Sequence, residues 1–305
     1  DGPNNEDKKL SFTTLTNVTL NTDIVGTIQG ETWEGGALNG AAVKTLKLSR
    51  GTGNLNANVT LTGSPLERNT LNSLRADGGA TGVAFNFIGD INGVRFDGNL
   101  QDVDVMVASE LKKFDFNHGV NLTINADDVG SIRAESWQGT FNAASAKKID
   151  IDQNFDVQTH LTGVTSQRDT LGNLRVDGGD GNGVTITIDD GDVGTIQFRG
   201  AVNDLTLVAP ADHEVKKIDL GPTASADLTG GEFGNVQTDN WLGGSLTARS
   251  VKSLKTSGRD SSGAIDIDVT VTGPADRDAF GSASIRGPVL GGVWRVDGGM
   301  RKLKG

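Results

Sequence analysis

Along this chain apolar and polar residues alternate over short stretches, as in Val59-Thr60-Leu61, Phe114-Asp115-Phe116, Ile149-Asp150-Ile151 and Val269-Thr270-Val271. A two-residue period belongs to a strand with one face in a core and the other in water. A second pattern sets apolar residues three apart, as in Val43-Lys44-Thr45-Leu46, Val193-Gly194-Thr195-Ile196 and Val251-Lys252-Ser253-Leu254. A helix would continue that spacing through i+4 and i+7, but Gly, Asn or Asp interrupts it every few residues. The pattern predicts short strands separated by Gly-rich corners.

Over this local texture lies a long repeat. Trp33, Trp137 and Trp241 are evenly spaced by 104 residues, and the turns Val25-Gly26-Thr27-Ile28, Val129-Gly130-Ser131-Ile132 and Phe233-Gly234-Asn235-Val236 keep the same interval. So do Lys8-Lys9-Leu10, Lys112-Lys113-Phe114 and Lys216-Lys217-Ile218. Further along, insertions loosen the register without changing the order, as in Leu61-Thr62-Gly63, Leu161-Thr162-Gly163 and Val271-Thr272-Gly273. The copies run from about 8 to 111, 112 to 215, and 216 to the end, the third incomplete.

Stacked coils of roughly 20–25 residues explain both periods, so the expected fold is all-β: a right-handed parallel β-helix, or β-solenoid, continuous over residues 1–305. Asn92-Gly93 and Asn182-Gly183 are hairpin dipeptides and would suit an antiparallel propeller or sandwich. A propeller wants more blades than three copies supply, and a sandwich wants no 104-residue repeat.

Composition agrees with a narrow core. The chain has 43 Gly, 11 Phe, 4 Trp and no Cys or Tyr, with 35% hydrophobic residues, which suits single rows of Val, Ile and Leu rather than one thick aromatic interior. A formal net charge of -11 argues against a nucleic-acid partner, which needs clustered Lys and Arg. No run of about 18 apolar residues indicates membrane insertion, and no signal-peptide pattern stands at Asp1. The chain reads either as cut from a longer protein or as built to stack on a neighbour.

Units of the form V-G-x-I, W-x-G-G-x-L and V-K-x-L resemble the Gly-rich β-solenoid repeats of large exported surface proteins in planctomycetes and some other bacteria. The resemblance implies an extracellular structural or adhesive role and no reaction. The expected function is accordingly a non-catalytic rigid spacer, or a subunit of a surface layer or filament. Its expected partners are copies of itself, neighbouring repeats of a longer chain, or a surface polysaccharide. A polysaccharide lyase or hydrolase on a parallel β-helix, and a carbohydrate-binding adhesin, are the alternatives.

The candidate residues divide by recurrence, because scaffold residues recur in every copy whereas an active site breaks the pattern. Arg68, Arg168 and Arg277 recur and read as ties between a loop and the turn below. Trp33, Trp137 and Trp241 recur too; they read either as caps over Gly-rich corners or as a stripe of sugar-stacking platforms. His118, His160 and His213 are not equivalent, and no His pair has metal-ligand spacing. The acidic turns at Asp177, Asp180 and Asn182 and at Asp189, Asp190 and Asp192 are the candidates for calcium, the one cofactor in view, against an ordinary turn-forming role. Asn17 and Asn121 begin N-x-T sequons one repeat apart. No nucleophile elbow, Walker loop or zincin helix is present, and no catalytic residue is expected.

Overall fold

The structure, a computed structural model, describes residues 9–50, 52–163, 169–258, 262–273 and 278–305. Among the described residues there are strands and no helix, and every strand pairing with a defined register is parallel. The fold is a parallel β-solenoid. The Asn92-Gly93 and Asn182-Gly183 dipeptides make no hairpin: Gly183 lies inside the strand Gly181–Ile188, which pairs parallel with Phe155–Leu161 and Val202–Val208.

The chain divides into two compact units, Asp1–Ala143 and Ala144–Gly305. In the first, one ribbon of parallel strands stacks Leu10, Ile28, Leu46, Leu74, Val94 and Phe114 in a single column. A second ribbon stacks Leu20, Leu38, Val59, Phe85 and Val105. The second unit repeats the arrangement with Ile149, Leu174, Ile196 and Ile218, then Val236, Leu254, Ala283 and Leu303, and opposite them Ile186, Leu207, Leu228, Leu246, Val269 and Trp294. Each inward residue therefore meets its counterparts in the coils before and after it. A coil with neighbours on both sides is sealed, which is how a chain so poor in aromatics excludes water from the core of each unit.

The recurring tryptophans belong to that core. Trp33, Trp137 and Trp241 are 0–1% exposed. Their indole N–H groups donate to the carbonyls of Val18 (3.3 Å), Leu122 (3.2 Å) and Ala226 (3.2 Å), each 15 residues earlier and one coil back. The glycine that follows makes room for the same carbonyl. A Cβ on Gly36, Gly139 or Gly244 would stand 2.1 Å from the oxygen of Val18, Leu122 or Ala226, and all three glycines have positive φ (+86°, +149° and +99°). The tryptophan with a glycine two or three residues on is thus a device that draws one coil down onto the last, with the ring filling the interior and its polar atom satisfied.

Candidate functional site

Burial decides the tryptophans first. A ring with no exposed face cannot stack on a sugar, so the platform reading of Trp33, Trp137 and Trp241 is corrected to a core role. What the sequence could not reveal is which side of the strand each indole occupies, since Gly on its flank suits a corner as well as a tight coil contact. Of the three arginines, Arg68 is exposed and makes no ion pair among the described residues; Arg168 and Arg277 lie outside them.

The acidic turns fall into separate places, each already occupied by cations or backbone donors. Asp177 accepts from Arg175 Nε (2.7 Å) and lies 3.2 Å from Arg199 Nη1. Asp180 accepts from the backbone N–H of Ala201 (3.2 Å), and the side-chain carbonyl of Asn182 accepts from Asn203 Nδ2 (3.0 Å). The turn from Asp189 to Asp192 is held from two coils at once. His160, on the strand before, meets Asp189 at 2.8 Å, and His213, on the coil after, meets Asp190 at 2.8 Å and Asp192 at 3.2 Å. Among the described residues no group of three or more His, Asp or Glu is arranged to hold a metal ion.

Charge around His213 is perturbed in a way the contacts explain. Burial is the largest single influence and opposes protonation, but Asp192, Asp212 and Asp190 together outweigh it and raise the imidazole above its ordinary range. Asp192 is pushed below the usual carboxylate range, chiefly because it accepts the backbone N–H of Glu214 (3.1 Å), with His213 and Lys216 adding to the effect. These are ties between coils.

Outward strand positions in each of the two units show the same economy. A cation followed two residues later by Asp recurs, and the two side chains pair: Arg75–Asp77 (3.2 Å), Lys113–Asp115 (2.7 Å), Arg175–Asp177 (2.7 Å) and Lys217–Asp219 (3.0 Å), with Lys148–Asp150 also in contact. Residues i and i+2 share a strand face, so the pattern neutralises each outward cation locally.

Towards the end of the second unit the pattern breaks. The places there read Lys255-Thr256-Ser257 and Ser284-Ile285-Arg286, with Lys304 next in the column by the registers Lys255↔Ser284 and Ser284↔Lys304, while Lys302 stands in the adjacent column after Ser253 and Ser282. Two clefts open on this face and share Lys255. One is lined by Asn235, Lys252, Ser253, Ser282, Arg301 and Lys302, and the other by Gln237, Ser257, Ser284 and Arg286. Among the described residues Lys252, Lys255, Lys302 and Lys304 have no carboxylate partner, while Arg301 is paired with Asp278 (2.9 Å). Ser253, only 7% exposed at the cleft floor, has a hydroxyl with no hydrogen-bond partner. Reading the sequence did not find this site, because its lysines lie some fifty residues apart and only strand register brings them together. The available signal was the missing Asp two residues after Lys255 and Lys302.

Comparison with known proteins adds no relative: no protein-family model, curated protein or solved structure matches this chain.

Proposed function

We propose that the protein is a non-catalytic structural or adhesive repeat protein of the cell exterior, akin to the large exported bacterial surface proteins whose repeats it resembles. In this reading it serves as a rigid spacer or as the subunit of a layer or filament, and it associates with copies of itself. One observation carries the proposal: the described residues form coil upon coil whose inward residues stack in register, from Leu10 to Phe114 in the first unit and from Ile149 to Ile218 in the second, with no break in the stacking between successive coils. Strand edges of such stacks pair readily with further coils, whether of a longer chain or of a second copy.

Sedimentation velocity over a range of concentrations, with electron microscopy of the same samples, tests the reading. Concentration-dependent assemblies are expected. A wild-type protein that stays monomeric at every concentration overturns self-association.

A further inference from the structure

We propose that the cleft formed by Lys252, Ser253, Lys255, Ser282, Arg301 and Lys302 is a binding site for an acidic polysaccharide, whose carboxylate or sulfate groups sit among the lysine ammonium groups. The proposal rests on the adhesive half of the function proposed above and gives it a surface and a ligand class.

Three observations converge. The first is charge. The whole chain has a formal net charge of -11, yet residues 250–305 contain nine Lys and Arg against six Asp and no Glu. Of those acids, Asp278 faces the cleft and is held by Arg301, while Asp268 accepts the backbone N–H of Val293 on another strand. On the neighbouring strand Asp239 accepts the hydroxyl of Ser257, and Asp219 is engaged by Lys217. The free ammonium groups thus have no competing carboxylate among the described residues. In a protein that pairs outward cations in both of its units, unpaired lysines gathered at one cleft are a departure from its own rule.

The second is the unused hydroxyl. A buried polar atom without a partner costs free energy unless something completes it. Ser253 is among the residues that line the cleft, and its hydroxyl, closed to solvent, is in that condition; a turn of the side chain toward a bound anion would complete it.

The third is the form of the surface. Lys255 and Lys304 stand two strands apart in one column with Ser284 between them, a separation of about 10 Å at the usual strand spacing. Between and beside the cations lie Asn235, Gln237 and Ser282, amides and a hydroxyl suited to sugar hydroxyl groups. A linear polyanion with hydroxyls between its charges matches this strip. Single-stranded nucleic acid would call for aromatic rings to stack its bases, and the cleft lining has none. A membrane surface would call for apolar side chains beside the cations, but alternation along Gly299–Lys304 turns Leu303 away from the face that carries Lys302 and Lys304.

The test is calorimetric titration of the full chain with heparin, polygalacturonate and neutral dextran at low and at physiological salt. Anionic vesicles and a DNA oligonucleotide serve as competitors, and sedimentation of the same samples records self-association separately. Saturable binding to at least one acidic polymer, weakened by salt and absent with dextran, is expected. Lys255→Glu combined with Lys302→Glu should weaken it about tenfold or more, and Ser253→Ala should weaken it severalfold without lowering the melting temperature. Lys147→Glu, the same charge change at an exposed lysine elsewhere, should leave binding as it was. No binding to either acidic polymer, or equal losses from Lys147→Glu and the double variant, overturns the site. Tighter binding to vesicles or to DNA replaces the glycan with that ligand. None of these outcomes bears on whether the protein associates with itself.

Discussion

Two stretches of the chain have matching registers but different neighbours. In the first unit Phe85 sits on Val59 and Val94 sits on Leu74; in the second Trp294 sits on Val269 and Leu303 sits on Ala283. Phe85 and Val94 are 1% and 5% exposed because a further coil lies over them, whereas Leu303 is 62% exposed and Trp294 half-buried. Residue type and strand position are alike in the two places. Burial here is therefore a property of having a coil on both sides, and an apolar residue at the open end contributes only part of what the same residue contributes inside.

The sharpest way to break this comparison is truncation on both sides of it. Phe85→Ala should cost about 3–5 kcal/mol in urea unfolding, while Leu303→Ala should cost less than about 0.5 kcal/mol. Equal losses would mean that the open end is covered in solution. Next in size come the glycines beneath the tryptophans. Gly244→Ala forces a Cβ to 2.1 Å from the Ala226 carbonyl at a φ of +99° and should cost more than about 1 kcal/mol. Gly93→Ala, with open space around it, should be near neutral by the same measurement.

A smaller effect concerns the turn held by His160 and His213. The folded protein raises the His213 pKa, so its contribution is complete below the unfolded value and fades as pH rises through the raised one. Asp192 works in the opposite sense, contributing above its unfolded value and losing that contribution as pH falls through its depressed one. The difference in melting temperature between wild type and His213→Asn should therefore be larger at pH 5.5 than at pH 9, corresponding to under about 1 kcal/mol for so exposed a set of charges. A constant difference would remove the ion pairs from the account. Smallest of all is the response to calcium. With Asp177 on two arginines and Asp189, Asp190 and Asp192 on two histidines, thermal midpoints in calcium and in chelator should coincide.

Much of the fold is legible from periodicity, because strands such as Ile149-Asp150-Ile151 declare their inner face by alternation and the 104-residue interval declares stacking. The contacts between coils are less so. Leu71 to Leu74 is followed by Ile91 to Val94 after 20 residues, but Leu254 to Ala283 spans 29, and only the fold shows which residues fall in one column. For that reason the lysines at 252, 255, 302 and 304 do not read as a cluster in the sequence, and His160 and His213 do not read as two sides of one turn. The tryptophans recur for a packing reason; recurrence identified them as scaffold, yet could not say that their faces are closed.

That packing also makes the molecule its own optical gauge. Trp33, Trp137 and Trp241 are interchangeable chromophores, each sealed from water with its N–H on a carbonyl one coil back. Trp294 is the odd one: it is half-buried in the last coil, stacked on Phe280 at 6.0 Å, with an indole N–H that has no partner. Excited indoles shift to longer wavelength as water reaches them, so three emitters should form one blue, quencher-resistant band and the fourth a red shoulder open to acrylamide. The shoulder should be missing from Trp294→Phe. In the wild type its loss on concentration would report, without any label, that something has settled on the open end.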